Sequence, residues 1–220
     1  MQKYAVVVAG GRGNRMKSEL PKQFIELAGK PILMHTLEAF HFDDIQILLV
    51  LPSDQIDFWK ELVVKHAFQI PHRLVVGGEA RFHSVLNGLN AIPDNKGLVA
   101  IHDGVRPLVD RDIISNSFIE AEKHGNAIVS IPLKDSIRSI SNFGNKQEDR
   151  SAYRLIQTPQ TFRLTLIKDA FLQDFDPLFT DDASVLEKAG HHIHLIDGRY
   201  QNIKITTPED LLIAESFLTK

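Results

Sequence analysis

The sequence predicts an α/β fold of three layers, with helices on both faces of a mostly parallel central sheet and a projecting β-arm. Three observations predict it. Apolar runs of strand length alternate with stretches of helical spacing along most of the chain, as helices packed on a parallel sheet require. The runs at Val6–Val8 and Ile45–Leu51 are almost continuously apolar, as strands covered on both faces must be. Residues with polar chemistry gather just after strand ends, at Gly10–Lys22, Gly77–Ser84 and His102–Pro107, where ligands lie in such sheets. With 220 residues and 43% hydrophobic content the chain can bury one sizeable core, and a single domain over 1–220 is expected.

Lys3–Val8 is the first strand, and residues 9–30 are expected to be mostly loop. Pro31 suits a first helical position, and Ile32, Leu33, Leu37 and Phe40 follow at helical spacing. Ile45–Leu51 is the second strand. Pro52-Ser53-Asp54 reads as the cap of a helix running to about Ala67. Arg73–Val76 is a third strand, stopped by Gly77-Gly78. Glu79–Asn90 is a helix with Val85, Leu86 and Leu89 on one face, and Gly97–Ile101 is the fourth strand. Arg111–His124 is a helix that Gly125 ends, and Asn126–Ile131 is the fifth strand.

The alternation then breaks. Residues 134–150 are polar, alternate weakly and turn at Asn142–Gly144, so they read as a hairpin with no core of its own. An isolated hairpin is marginal in water. It is either a plain solvated hairpin or an arm that leans on another subunit. Residues 153–157 return to the body and Thr158–Phe162 reads as a loop. Leu164–Phe171 and Asp181–Ala189 are helices, the second ended by Gly190. His192–Ile196 and Asn202–Thr206 are short strands. Thr207 caps the last helix, Pro208 takes its first position, and Glu209 and Asp210 supply carboxylates to its first turn. It runs to about Leu218.

Composition narrows the function classes. The net charge of −3 gives no global basic field for nucleic acid or a membrane surface. No stretch approaches the roughly 20 apolar residues of a membrane span. The first apolar run is too short, and too soon glycine-rich, for a signal peptide. There are no cysteines, which excludes disulfide scaffolds and thiolate metal sites and suits a reducing, cytoplasmic setting.

The chemistry concentrates after the first strand. Ala9-Gly10-Gly11-Arg12-Gly13-Asn14-Arg15-Met16 is followed by Lys17 and by Leu20-Pro21-Lys22-Gln23. Glycines let a backbone turn back and approach a ligand closely. Backbone N–H groups flanked by cations make a concave anion site, and so many cations suit a polyphosphate. The dinucleotide fingerprint is incomplete, because Met16 stands at the third glycine position, and the P-loop ending of Gly-Lys-Ser/Thr is missing. The plain alternative is a basic surface loop. His102-Asp103-Gly104-Val105-Arg106-Pro107 ends a buried strand with a carboxylate. Asp103 suits a hard cation such as Mg²⁺, which takes few protein oxygens beside substrate phosphates; alternatively an Asp103–Arg106 pair staples a loop. Gly77-Gly78-Glu79-Ala80-Arg81-Phe82-His83-Ser84 would bring backbone and a hydroxyl to a base or ribose, or merely punctuate a helix. Lys204 either snorkels from a strand edge or points at a phosphate. In His191-His192-x-His194 only His192 and His194 share a strand face, and spacing positions no carboxylate beside them. No nucleophile elbow and no His-Glu-x-x-His motif is present.

These segments resemble a known family along nearly the whole chain. The glycine loop with Leu20-Pro21-Lys22-Gln23 looks like a nucleotidyltransferase signature. Further matches are Gly77-Gly78 with Arg81 and Ser84-Val85, His102-Asp103-x-x-Arg106-Pro107, Gln157-Thr158-Pro159-Gln160, Thr180-Asp181-Asp182-Ala183-Ser184, and Asn202-Ile203-Lys204-Ile205-Thr206 with Pro208-Glu209-Asp210. Together they resemble the 2-C-methyl-D-erythritol 4-phosphate cytidylyltransferase family of non-mevalonate isoprenoid synthesis. The resemblance implies a Rossmann-like nucleotidyltransferase fold, with CTP and methylerythritol phosphate as substrates and Mg²⁺ as cofactor. It also implies a homodimer in which the 134–150 arm crosses to the partner. By motif position, Arg15 and Lys22 would stabilise the transition state, and Arg150 and Lys204 would hold the substrate phosphate. The nucleotide would meet Ala9, Gly10, Gly11, Gly13, Gly78, Ser84, Asp103 and Arg106. The acceptor would meet Thr158 and Thr180 beside Arg150 and Lys204, and Asp103 would carry the metal.

Three other readings stay open on sequence alone. One is a ribitol-5-phosphate cytidylyltransferase, against which Arg150 and Gln157-Thr158-Pro159-Gln160 argue. Another is a non-catalytic nucleotide-binding protein of the same fold, against which the set Arg15, Lys22, Asp103 and Lys204 argues. The third is a nucleotide-sugar pyrophosphorylase, which the short C-terminal region disfavours.

Overall fold

The computed structural model describes residues 1–10 and 20–218. Its elements in chain order begin with β1 (Lys3–Val8), the two-residue pair β2 (Glu26–Leu27) and β3 (Lys30–Pro31), α1 (Ile32–Ala39), β4 (Gln46–Leu51), α2 (Ile56–Lys65) and β5 (Arg73–Val76). There follow α3 (Arg81–Asn90), β6 (Leu98–Asp103), α4 (Arg111–His124), β7 (Asn126–Pro132), β8 (Ile137–Ser141) and β9 (Gly144–Glu148). The chain closes with β10 (Arg154–Arg163), α5 (Leu164–Ala170), α6 (Asp182–Lys188), β11 (Leu195–Asp197) and α7 (Pro208–Leu218).

The main sheet has seven strands in the order β11-β7-β10-β6-β1-β4-β5. β10 runs antiparallel to both of its neighbours, while the remaining pairs are parallel. Alternation along the central strands creates the three layers. Ala5, Val7 and Ala9 of the β1 segment join Leu33, Leu37, Trp59 and Phe118 in one core. Tyr4, Val6 and Val8 face the other way, toward Phe82, Val85, Leu89 and Ile167. Every second residue thus meets α1, α2 and α4 on one face or α3 and α5 on the other. Helix α3 lies close on the sheet because Gly88 sits against Val6; a Cβ there would come within 2.6 Å of a Val6 methyl.

Several sequence expectations need correction. Thr158–Phe162 is not a loop but the centre of β10, wedged between β6 and β7. Proline suggested a break because it cannot donate to a ladder. The chain accommodates Pro159 with a cis Thr158–Pro159 bond inside a register shift between Ile156 and Gln160, so no ladder bond is asked of it. Asn202–Thr206 forms no strand; it packs beside the sheet through Ile205 N–H to the Val105 carbonyl at 2.9 Å. The edge strand is Leu195–Asp197 rather than His192–Ile196. Pro31 precedes α1 in extended conformation instead of opening it. Ser53 and Asp54 lie in a 3-10 turn, and neither side chain caps α2. The fourth strand extends through His102 and Asp103, which are strand residues and not loop. The helix over 111–124 and its left-handed Gly125 cap at φ 88° are as expected. The arm is the antiparallel hairpin β8–β9, which pairs with no other strand among the described residues.

Candidate active site

The carboxyl ends of four adjacent strands meet at one place. Val8 at the end of β1 pairs with Asp103 at the end of β6, and Leu51 at the end of β4 pairs with Val76 of β5. The chain leaving β1 therefore runs beside the chain leaving β6, and the Gly104 N–H bonds the Val8 carbonyl at 2.9 Å. Only glycine fits at 104, since a Cβ there would lie 2.8 Å from that of Ala9. Between these ends opens a cavity of about 210 Å³ lined by Ala9, Gly10, Lys22, Gly78, Ser84, Asp103 and Lys204, with Gln23, Arg81 and the backbone ahead of α3 completing it.

Its floor is a web of charge centred on Asp103. Lys204 Nζ lies 2.9 Å from Oδ2, Arg106 Nε 3.5 Å from Oδ2, and Arg81 Nε 3.5 Å from Oδ1. Burial alone would raise the Asp103 pKa, but Arg81, Lys204 and Arg106 outweigh it and hold the carboxyl well below the usual range. Asp103 is thus an anion at any physiological pH. Arg81 also grips Asp182 with both Nη atoms, at 2.8 and 2.7 Å. Burial works to lower the Arg81 pKa, and Asp182 and Asp103 reverse that and raise it. This fork-to-fork geometry is the strong form of an arginine–carboxylate pair. His102, fully buried behind Asp103, is pushed down to about 4, chiefly by burial. Its Nε2 meets the Arg106 carbonyl at 3.1 Å, while Nδ1 is buried and finds no partner among the described residues.

A second layer of polar side chains fixes these groups. Asn202, fully buried, donates Nδ2 to the Thr158 carbonyl at 2.8 Å and accepts Arg106 Nη1 on its own carbonyl at 2.8 Å. That contact holds the segment bearing Lys204 against the sheet. Thr158 Oγ1 accepts the Asp103 N–H at 3.1 Å. Gln23 donates to the Ala9 carbonyl at 2.9 Å, steadying the chain at the end of β1. Ser84 Oγ accepts the Gly78 N–H at 3.1 Å. A Cβ on Gly78 would fall 2.4 Å from that of His83, so the turn before α3 requires glycine.

The structure brings Ala9, Gly10, Lys22, Gly78, Ser84, Asp103 and Lys204 together in one cavity. Arg106 and Thr158 stand behind it as supports. Arg150 is exposed at the foot of the arm, where it bonds the Lys134 carbonyl, and Thr180 is exposed just ahead of α6; neither lines the cavity. Gly11, Gly13 and Arg15 lie outside the described residues. The sequence reading did not single out Arg81, Asp182, Gln23 or Asn202 as site residues. A signal existed for two of them, because Arg81 opens a helix directly after a strand-end glycine pair and Asp182 is a carboxylate in a first helical turn.

A family model described as "IspD: 2-C-methyl-D-erythritol 4-phosphate cytidylyltransferase" matches residues 4–220. A 2-C-methyl-D-erythritol 4-phosphate cytidylyltransferase of Bacteroides fragilis is 50% identical over 220 residues, covering 99% of this chain and 100% of that protein. One from Clostridium acetobutylicum is 41% identical, covering 98% and 97%. Among solved structures, a 4-diphosphocytidyl-2C-methyl-D-erythritol synthase from Anaerococcus prevotii superposes with a TM-score of 0.84 at 28% identity, covering 100% of this chain and 99% of the other.

Proposed function

This chain belongs to the 2-C-methyl-D-erythritol 4-phosphate cytidylyltransferase family, and from that premise we infer that it transfers CMP from CTP to 2-C-methyl-D-erythritol 4-phosphate. A phosphate oxygen of the acceptor attacks the α-phosphorus of CTP in line. The new P–O bond forms as the bond from the α-phosphorus to the bridging oxygen breaks, and pyrophosphate leaves with that electron pair. The acceptor phosphate is already a nucleophile, so no general base is needed. Charge builds on the α-phosphoryl oxygens and on the departing pyrophosphate, and fixed cations there lower the barrier.

The observation that carries this reading is the meeting of Lys22 and Lys204 with the glycine-lined turns in one cavity over an anionic Asp103. In this mechanism Lys22 and Arg15 stabilise the transition state. Lys204 holds the acceptor phosphate, and Arg150 approaches it from the partner's arm. The backbone at Ala9, Gly10, Gly11, Gly13 and Gly78, with Ser84, receives the nucleotide. The N-terminus of α3 faces the same cavity through Gly78, Glu79 and Ala80, and its dipole favours anions.

Asp103 suits Mg²⁺: it is anionic, it lines the cavity, and among the described residues its Oδ1 makes only a 3.5 Å ion-pair contact. Mg²⁺ is content with one or two carboxylates beside substrate phosphates. When bound, the ion would neutralise phosphate charge. Asp103 would hold it, and Arg81 and Arg106 would hold Asp103.

Homodimerisation through the 134–150 arm is part of the same reading, supported by Ile140 and Phe143 standing 88% and 102% exposed on it. A cytoplasmic setting fits a chain without cysteine. Among the described residues no helix is long and apolar enough to cross a membrane.

The test is pyrophosphate release with CTP, Mg²⁺ and methylerythritol phosphate, beside ribitol 5-phosphate and a no-acceptor control. Release with the first acceptor alone is expected. An equal or faster rate with ribitol phosphate would replace the acceptor, and silence with both would remove the reaction.

A further inference from the structure

Far from the cavity, at the β11 edge of the sheet, two helix residues meet a histidine beside which sequence spacing positioned no carboxylate. Glu120 and His124 stand four residues apart on the last turns of α4, so they share one face. His194 arrives from the segment entering β11. Glu120 Oε2 lies 3.4 Å from His124 Nε2 and 3.6 Å from His194 Nε2. The two imidazoles stack with centroids 3.9 Å apart and planes 19° from parallel, so their in-plane lone pairs run side by side, and a turn of these partly exposed rings brings both onto one ion beside the carboxylate.

We propose that Glu120, His124 and His194 form a binding site for Zn²⁺ that ties the end of α4 to the sheet edge. Zinc bonds to imidazole nitrogen and carboxylate oxygen are about 2.0–2.1 Å, so tetrahedral ligand atoms sit about 3.4 Å apart. The two measured separations match that spacing. Two imidazoles with one carboxylate suit zinc, copper or nickel far better than magnesium. The fourth position is open to water, since His124 and His194 side chains are 46% and 38% exposed.

Groups around the site fix its backbone and its carboxylate. Buried Asn126 donates to the His192 carbonyl at 2.9 Å and accepts the His194 N–H at 2.8 Å, while the His194 carbonyl accepts from Ile128 N–H at 2.8 Å. The backbone carrying His194 is thereby fixed before any ion arrives. Lys123 bonds the other carboxylate oxygen of Glu120, Oε1, at 2.7 Å, which leaves Oε2 turned to the histidines. No residue of the cytidylyl-transfer site takes part, so the role is to staple the fold.

The test is calorimetric titration of the full chain with Zn²⁺ alone as the added ligand, in a buffer with excess Mg²⁺ to occupy the Asp103 site. One equivalent is expected to bind and to raise the melting temperature, as any ligand specific to the folded state does. His124→Ala and His194→Ala should each weaken binding about 100-fold or more, beyond the loss typical of an outer-sphere partner, and abolish the thermal shift. A His191→Ala, His192→Ala double variant should bind as before. Co²⁺ in place of Zn²⁺ should give the visible bands of tetrahedral cobalt, lost in His194→Ala. All three ligands are at least partly exposed, so these variants should fold and release pyrophosphate at the parent rate. The proposal is overturned by absence of a bound equivalent, by unchanged affinity in both His124→Ala and His194→Ala, or by loss of binding in the double variant.

Discussion

The floor of the cavity and the projecting arm use the same residue types to opposite effect. Around Asp103 the charges are linked, since Asp103 touches three cations and Arg81 touches two carboxylates, and Asp182, Asp103 and Arg106 are all nearly sealed from water. In the arm, Arg138 bonds Asn145 across the hairpin and Ser139 donates to Glu148 at 2.7 Å, but all of these groups stand in solvent. An ion pair in a low effective dielectric is several-fold stronger than in water, and removing one member strands the other. The same pair in solvent is worth little. The cavity floor is therefore predicted to be brittle and the arm tolerant.

Asp182→Ala should break the contrast most sharply. It leaves Arg81 with only the longer Asp103 contact and should cost about 3–5 kcal/mol, the range for breaking a buried pair. Arg138→Ala in the arm should change stability by less than about 0.5 kcal/mol. Urea denaturation midpoints of the two variants measure the difference, and similar costs would erase the distinction.

Acid should separate the regions next. His102 is pushed down to about 4 from an ordinary value of 6.5 because it is buried. Between those values the unfolded chain binds a proton that the fold refuses. Stability is then whole above about pH 6.5 and falls as pH drops toward 4, by about 3 kcal/mol. Residues 134–150 contain no histidine, so the arm adds no comparable loss in that window. Asp103, held low, loses its contribution only in stronger acid. Comparing denaturation midpoints of the parent and His102→Gln near pH 7 and near pH 4.5 gives the check. An equal fall in both would acquit His102.

Lys204→Ala tests chemistry with little disturbance of the fold. Its side chain is 40% exposed, so stability should move by less than about 1 kcal/mol, while turnover should fall about a hundredfold. Lys22→Ala should lose a similar factor and still bind CTP. Near-normal turnover in either variant would take that lysine out of the mechanism.

What the sequence made legible follows the same divide. Strands with continuous apolar runs, such as Ile45–Leu51, declared themselves because burial on both faces leaves no polar alternative. The clustering of Ala9, Gly10, Gly78, Ser84 and Asp103 was readable too, since they lie at or just after strand ends that a parallel sheet brings side by side. β10 was not readable. Its Thr158-Pro159 looks like a break locally, and only the two flanking strands supply a reason to continue. The Arg81–Asp182 pair was equally hidden, because 101 residues separate its members and no local period links them. His124 and His194 were missed as a pair for that reason as well.

The arm itself gives the smallest expected effect on stability and a large one on assembly. Ile140 and Phe143 expose nearly all of their surface, so nothing in the chain's own fold is lost when they become polar. Ile140→Ser with Phe143→Ser should leave the denaturation midpoint within about 0.5 kcal/mol of the parent. If the arm clasps a second subunit, the same change should reduce the mass measured by light scattering from dimer to monomer. Turnover should fall with it, because Arg150 lies outside the cavity of its own chain and would reach one only across that interface. Mixing Arg150→Ala with Lys22→Ala subunits then decides the geometry. Each parent lacks one essential cation, but a mixed dimer with crossing arms pairs one intact Lys22 with one intact Arg150 at a single site. Recovery of activity in verified mixed dimers is expected. Mixed dimers as inactive as their parents would confine each site to its own chain and reduce the arm to an ordinary solvated hairpin.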